Sequence, residues 1–241
     1  MKKLIIGIDN FLFNGFFRKK FHYLKHRKEI ENKLNNLSFT YRHSEKKILL
    51  LNDLLKVSPG GGVIVECGVG VGFTLSILSN ISEKKIYAFD SFEGFPEDLS
   101  VKEDKNLFKV LKYSKWNYKL MTIDLVKKNL LKNGILENDL DEKIIFNKGF
   151  FPKSFKGFDK PITFLHLDVD LYQSYKDCLE FFYPKLLKGG IVTFDEYTVD
   201  YELKKKKGWS FSGAKIAIDE FVEKNNLKLK HHSTGYKYIV K

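Results

Sequence analysis

The sequence predicts an α/β protein built on a mostly parallel sheet. Apolar runs of strand length alternate with helix-spaced segments through the middle of the chain. The runs beginning at Ile162 and Ile191 each end in acidic positions, Asp168 with Asp170 and Asp195 with Glu196. A glycine-rich turn, Gly68-Val-Gly70-Val-Gly72, follows the first apolar run. A crossover helix makes two successive strands parallel neighbours, so both acidic ends fall on one sheet edge. In open α/β sheets that edge binds ligands.

Each element has its own signal. Glu45 to Lys56 carries apolar residues at Ile48, Leu49, Leu51, Leu54 and Leu55, a helix spacing. Ser58-Pro-Gly-Gly-Gly62 is a turn. Val63 to Glu66 is a short buried strand, with a helix after Gly72. Lys85 to Phe89 is a second strand ending in Asp90. Gly94 to Trp116 has no clean period and reads as loop with some helix. Thr122 suits an N-cap and Gly134 a C′ position for a helix from Ile123 to Lys132. Lys143 to Asn147 is the third strand. The runs from Ile162 and Ile191 are the fourth and fifth. Between them, Leu171, Tyr175, Cys178, Leu179, Phe182 and Leu186 form a helix stripe closed by Gly189-Gly190. Ala214 to Val222 is a last helix. Leu227 to Lys230 and Tyr236 to Val240 flank a turn as an antiparallel hairpin.

The length of 241 residues suits one such domain with additions. Cys67 and Cys178 sit in apolar patterns and read as core residues, which fits a reducing cytoplasm. The formal charge of +12 comes largely from lysine runs that read as solvated surface. No nucleic-acid module accompanies it. Residues 1–40 form a basic, aromatic extension ahead of a domain spanning 41–241. Phe11 to Tyr23 interleaves Phe with Arg and Lys. A helix packed on the domain or on a second subunit would bury that face, as would the inner surface of a membrane. The packed helix needs no lipid and is the simpler reading.

The acidic edge and the glycine turn carry the chemistry. Clustered carboxylates repel unless a cation or a proton sits among them. They therefore mark either a hard divalent metal site or an acid/base site. His166 lies on the same side of its strand as Asp168, and deeper. The turn does not fit the dinucleotide fingerprint, because Phe73 stands where the third glycine belongs. An acidic residue, Glu66, two positions before Gly68 and glycines spaced by two suit S-adenosylmethionine better. Asp90 then matches a carboxylate that binds ribose hydroxyls. Tyr172-x-x-x-Lys176 mimics the pair of a short-chain dehydrogenase, and Tyr201 to Lys205 repeats that match by chance.

Val65-Glu66-Cys67-Gly68, Phe89-Asp90-Ser91-Phe92-Glu93-Gly94, Lys148-Gly149-Phe150-Phe151-Pro152, His166-Leu-Asp168-Val-Asp170-Leu-Tyr172, Phe194-Asp195-Glu196-Tyr197 and Gly213-Ala-Lys-Ile-Ala217 occur in that order. From about Arg42 onward the chain resembles the macrocin O-methyltransferase family. That resemblance implies a class I, Rossmann-like methyltransferase fold with a seven-stranded sheet. It also implies S-adenosylmethionine and Mg2+ as cofactors, a sugar hydroxyl as acceptor, and an N-terminal part that covers the active site or joins subunits into a homo-oligomer. Carried over, Glu66, Gly68, Gly70, Asp90, Ser91, Phe92, Gly149 and Phe150 would surround the cofactor, with Asp168 beside it. Asp168, Asp195 and Glu196 would hold the metal, with Asp170 as general base. The family commonly has Asp-Asp-Tyr where this chain has Asp195-Glu196-Tyr197, and Glu reaches one methylene further. Other readings are a non-sugar hydroxyl acceptor, an NAD-dependent oxidoreductase, or a membrane-attached binding protein.

Overall fold

A computed structural model describes residues 42–99, 101–105, 107, 121–199 and 211–241. The N-terminal extension and the lysine-rich segment 200–210 lie outside the described residues. The elements run α1 (Arg42–Val57), β1 (Val63–Cys67), α2 (Phe73–Ile81), β2 (Ile86–Asp90), α3 (Ile123–Lys132), α4 (Glu137–Lys143), β3 (Ile144–Lys148), β4 (Ile162–Leu167), α5 (Tyr172–Phe182), β5 (Leu186–Thr198), α6 (Ser212–Lys224), β6 (Lys230–His231) and β7 (Tyr236–Val240). The seven strands lie in the order β3-β2-β1-β4-β5-β7-β6. The first five are parallel, and β7 runs antiparallel to both β5 and β6. The strand order reverses between β1 and β4, which places the ligand crevice above their C-terminal ends.

The sheet is covered on both faces, so β1 and β4 are nearly continuous apolar runs. On one face Val65, Leu165, Leu167 and Phe194 pack under α5 and α6. On the other, Ile64, Ala88, Phe164 and Ile191 pack with Leu50, Leu51 and Leu54 of α1, beside α2 and α3. This period-two sorting decides where each acidic side chain goes. His166, Asp168, Thr193 and Asp195 share parity with the residues facing α1. Glu196 shares parity with Phe194 and faces α5.

Helix α3 is capped as its sequence predicts. Thr122 Oγ1 accepts the Leu125 N–H at 3.3 Å, and Gly134 takes φ 83° just past the C-cap. The region after α5 differs from expectation. Leu186 and Gly189-Gly190 belong to β5 and do not close the helix. Pro184 lacks an N–H and its ring crowds the preceding turn, so α5 ends at Phe182 in a short 3₁₀ turn, Tyr183–Lys185. The strand at the start of the hairpin is also shorter than expected, Lys230–His231 alone. Among the described residues no helix is long and apolar enough to cross a membrane.

Candidate active site

A cavity of about 760 Å³ opens above the C-terminal ends of β1, β2 and β4. Gly68 and Gly70 form its floor, and Asp90 and Ser91 one wall. Gly149 and Phe150 come from the end of β3, while Asp168, Asp170 and Asp195 close the opposite side.

Gly68 is required by the fold itself. Its φ is 82°, and a Cβ there would lie 1.8 Å from the Asp168 carbonyl oxygen. This close approach lets Gly68 N–H reach Phe89 O and Asp168 N–H reach Cys67 O, each at 2.9 Å. Gly70, at φ 54°, has open space where a Cβ would point, so a ligand can pass close to its backbone. Asp90 locks the turn in place. Its Oδ2 accepts Val69 N–H at 2.7 Å and Gly70 N–H at 3.2 Å, and Oδ1 accepts Phe92 N–H at 2.8 Å. Each carboxylate oxygen keeps acceptor capacity for a ligand hydroxyl.

Two of the sequence-predicted cofactor residues, Phe92 and Glu66, are not among the residues lining the cavity. The Phe92 side chain is buried in the core, its ring 5.9 Å from that of Phe146, and only its backbone meets Asp90. Its φ of 51° turns the ring inward. Glu66 lies sealed beneath the floor, fully buried, with neither carboxyl oxygen hydrogen-bonded. Burial, then the nearby Asp168 charge, pushes its pKa well above the usual carboxylate range. An unpartnered buried acid under a glycine floor fits a cationic ligand group arriving from above.

The β4–β5 edge gathers the remaining carboxylates. One ligand atom from each of Asp168, Asp170 and Glu196 lies within 4.8 Å of the others, and the same holds for His166, Asp168 and Asp195. Asp168 belongs to both groups. Burial, then Asp195, raises its pKa to about 7. Burial also raises Asp170 well above the usual range, ahead of repulsion from Asp168. Asp170 adopts φ 59°, a left-handed conformation that Asp tolerates better than most side chains. This conformation is held by its own N–H, which donates to Glu196 Oε1 at 2.9 Å. Apart from His166, the donors are all oxygens, which suits a hard divalent cation.

Glu196 faces away from Asp195, as the strand alternation dictates. Its Oε2 meets the Tyr175 hydroxyl, which also lies 3.0 Å from the Leu167 carbonyl. One hydroxyl proton cannot serve both acceptors. A protonated Glu196 donating to Tyr175, with Tyr175 donating to Leu167, satisfies all three groups. Burial, the largest influence, raises the Glu196 pKa in the same direction. His166 is an interior residue. Its Nδ1 is 2.9 Å from Thr193 Oγ1, and burial holds its pKa down at about 3, so it is neutral.

Two site residues escaped sequence reading. Lys47 of α1 is buried, with Nζ 2.6 Å from Asp195 Oδ1, 3.4 Å from Asp168 Oδ2 and 3.3 Å from Thr74 Oγ1. Lys47, Leu50, Leu51 and Leu54 follow i, i+3, i+4, i+7, so a lysine on the apolar stripe was the available signal. Asp104 is the second. Its carboxylate accepts Tyr172 N–H at 2.7 Å and Gln173 N–H at 3.3 Å, capping α5 from far upstream. That cap draws residues 101–105 against the cavity, which Asp104 also lines. No local pattern announces a cap supplied from another segment.

Gln173 lines the cavity. Tyr172 turns outward, its hydroxyl 2.8 Å from Glu220 Oε2, with Lys176 over its ring at 5.4 Å. Among the described residues lining the cavity, neither member of the dehydrogenase-like pair appears.

A family model described as macrocin-O-methyltransferase (TylF) matches residues 52–228. The structure is similar to that of the O-methyltransferase NovP, with TM-score 0.66 and 22% identity over 82% of this chain and 80% of that one. It is also similar to CalS11, a calicheamicin methyltransferase, with TM-score 0.60 and 20% identity over 90% and 91%. A putative caffeoyl-CoA O-methyltransferase from Staphylococcus aureus gives TM-score 0.59 and 16% identity over 93% and 99%. A comparison with curated proteins finds no match. The family match spans well over half of the chain. The chain belongs to the macrocin-O-methyltransferase (TylF) family and is a methyltransferase.

Proposed function

We propose that the protein moves a methyl group from S-adenosylmethionine to a sugar hydroxyl, with help from a hard divalent cation such as Mg2+. One observation carries this reading: the Asp90-locked glycine turn and the Asp168, Asp170 and Asp195 carboxylates open into one cavity. A cofactor seated there would supply an electrophilic methyl group, and a bound cation would lower the pKa of an acceptor hydroxyl.

The chain's own residues supply the rest. Gly68 and Gly70 offer a floor without side chains, and Asp90 accepts ribose hydroxyls. Gly149, Phe150 and Ser91 bound the nucleoside end. Asp168 and Asp195 would hold the cation, with Glu196 approaching from the other side of the strand. Asp170 would take the acceptor proton; burial, which raises its pKa, favours the protonated product. Methyl transfer is an in-line displacement, so the capped α5 and the strand ends contribute by fixing orientation. Residues 41–241 form the catalytic domain, and 1–40 an extension that covers the site, joins subunits or meets a membrane.

The acceptor class draws support from the neighbours. CalS11 is described as a TDP-rhamnose 3'-O-methyltransferase. The test is transfer of labelled methyl from S-adenosylmethionine to free, glycosidic and nucleotide-linked sugars, with Mg2+ or with EDTA. Label should enter a sugar and be lost with EDTA. Transfer indifferent to EDTA would remove the metal, and transfer only to a catechol would remove the sugar.

A further inference from the structure

We infer that Lys47 is a built-in competitor for the metal, a tethered ammonium that neutralises Asp168 and Asp195 whenever the divalent cation is away. The inference rests on the metal reading above and goes beyond it. Lys47 approaches from α1, on the face toward which Asp168 and Asp195 point. Its Nζ is 2.6 Å from Asp195 Oδ1 and 3.4 Å from Asp168 Oδ2. Its third partner, Thr74 Oγ1 at 3.3 Å, is neutral. Both charged partners of the ammonium are thus the carboxylates assigned to the metal.

Three physical consequences follow. Without Lys47, two half-buried carboxylates would face each other without a counter-charge, a costly arrangement. With Lys47 in place, a dication at the same oxygens meets a like charge at contact range. Finally, Lys47 lines the cavity on a flexible four-carbon stem, so it has somewhere to withdraw when the metal enters. Lysine therefore keeps the metal-free site folded and weakens metal binding by the same contacts.

The test measures Mn2+ binding by calorimetry and electron paramagnetic resonance, without donor or acceptor. It uses the full-length wild type, Lys47→Met, Lys47→Gln and the double variant Lys47→Met/Asp195→Asn. Removing the ammonium should tighten Mn2+ binding at least about tenfold. It should also lower the melting temperature in EDTA and enlarge the rise produced by Mn2+. The double variant should lose the gain. Lys47→Gln keeps chain length and a hydrogen-bond donor, so it reports if the Met variant does not fold. A wild type that binds Mn2+ as tightly as Lys47→Gln, or more tightly, overturns the competitor role and leaves the metal reading standing. Failure of every form to bind Mn2+, with S-adenosylhomocysteine still bound, overturns both the competitor and the metal.

Discussion

The two halves of the cavity solve different electrostatic problems. At the β1–β2 end, the Asp90 carboxylate is matched by backbone and receives three N–H donors, while Glu66 lies sealed below the floor. That half is shaped in advance and carries little unbalanced charge. At the β4–β5 end, Asp168 gathers with Asp170 and Glu196 on one side and with Asp195 on the other, and Lys47 reaches Asp168 and Asp195. The contrast separates recognition by shape at one end from stored charge at the other. The first half presents a turn already fixed by its own backbone. The second is incomplete until a cation or a proton joins it.

The strongest way to break this division is to remove charge from the second half alone. Asp168→Asn and Asp195→Asn should each lower methyl transfer at least about a hundredfold. The rate of label transfer under saturating donor checks this. Next comes the joint between the halves. Gly68→Ala should destabilise the fold by about 3 kcal/mol or more, because its Cβ would overlap the Asp168 carbonyl. Gly70→Ala has room and should cost about 1 kcal/mol through its positive φ. Urea unfolding distinguishes the two. If both cost the same, the close approach of β1 and β4 is not what Gly68 serves.

Smaller effects should appear in pH dependence. Asp168 carries a pKa raised to about 7, so a proton must leave before it ligates a cation. Mn2+ affinity should rise about tenfold per pH unit below 7 and flatten above it. Metal-free stability should move oppositely. The unfolded Asp168 ionises at lower pH, so its contribution is fully present below about pH 4 and lost as pH rises through about 7. Mn2+ titrations and melting curves from pH 5 to 8 read both signs. Smallest is Glu196→Gln, expected to cost no more than about tenfold in turnover, since Gln can keep the Tyr175 and Asp170 contacts. A loss as deep as that of Asp195→Asn would make Glu196 a full metal ligand.

The glycine turn and Asp90 of the first half were legible in sequence; that Glu66 and Phe92 lie off the cavity was not, and the second half was legible only in part. Glycine spacing, Asp90 and the strand-end acids are local signals, since a strand fixes which way each side chain points. That rule also puts Glu196 opposite Asp195, which the adjacent acidic letters alone conceal. The family block Asp90-Ser91-Phe92 implies a cofactor contact for Phe92, yet its backbone is left-handed and its ring lies in the core. Lys47 hid among Glu45, Lys46 and a leucine run, where lysine usually means solvent. Its stripe position was the clue, but its carboxylate partners, Asp168 and Asp195, lie more than a hundred residues away. Helix α4 escaped because it buries only Leu140 and has no side-chain cap. Gly189-Gly190 misled in the other direction: glycines that suit a helix end sit inside β5, after Pro184 has already stopped the helix.

The most direct test of the divided cavity is paired calorimetry on the wild type and the Asp168→Asn/Asp195→Asn double variant. Each is titrated separately with S-adenosylhomocysteine and with Mn2+. The account predicts S-adenosylhomocysteine affinities within about threefold of each other, as for independent sites, and Mn2+ binding only in the wild type. Mn2+ bound equally by both proteins, or nucleoside binding lost along with the carboxylates, would contradict it.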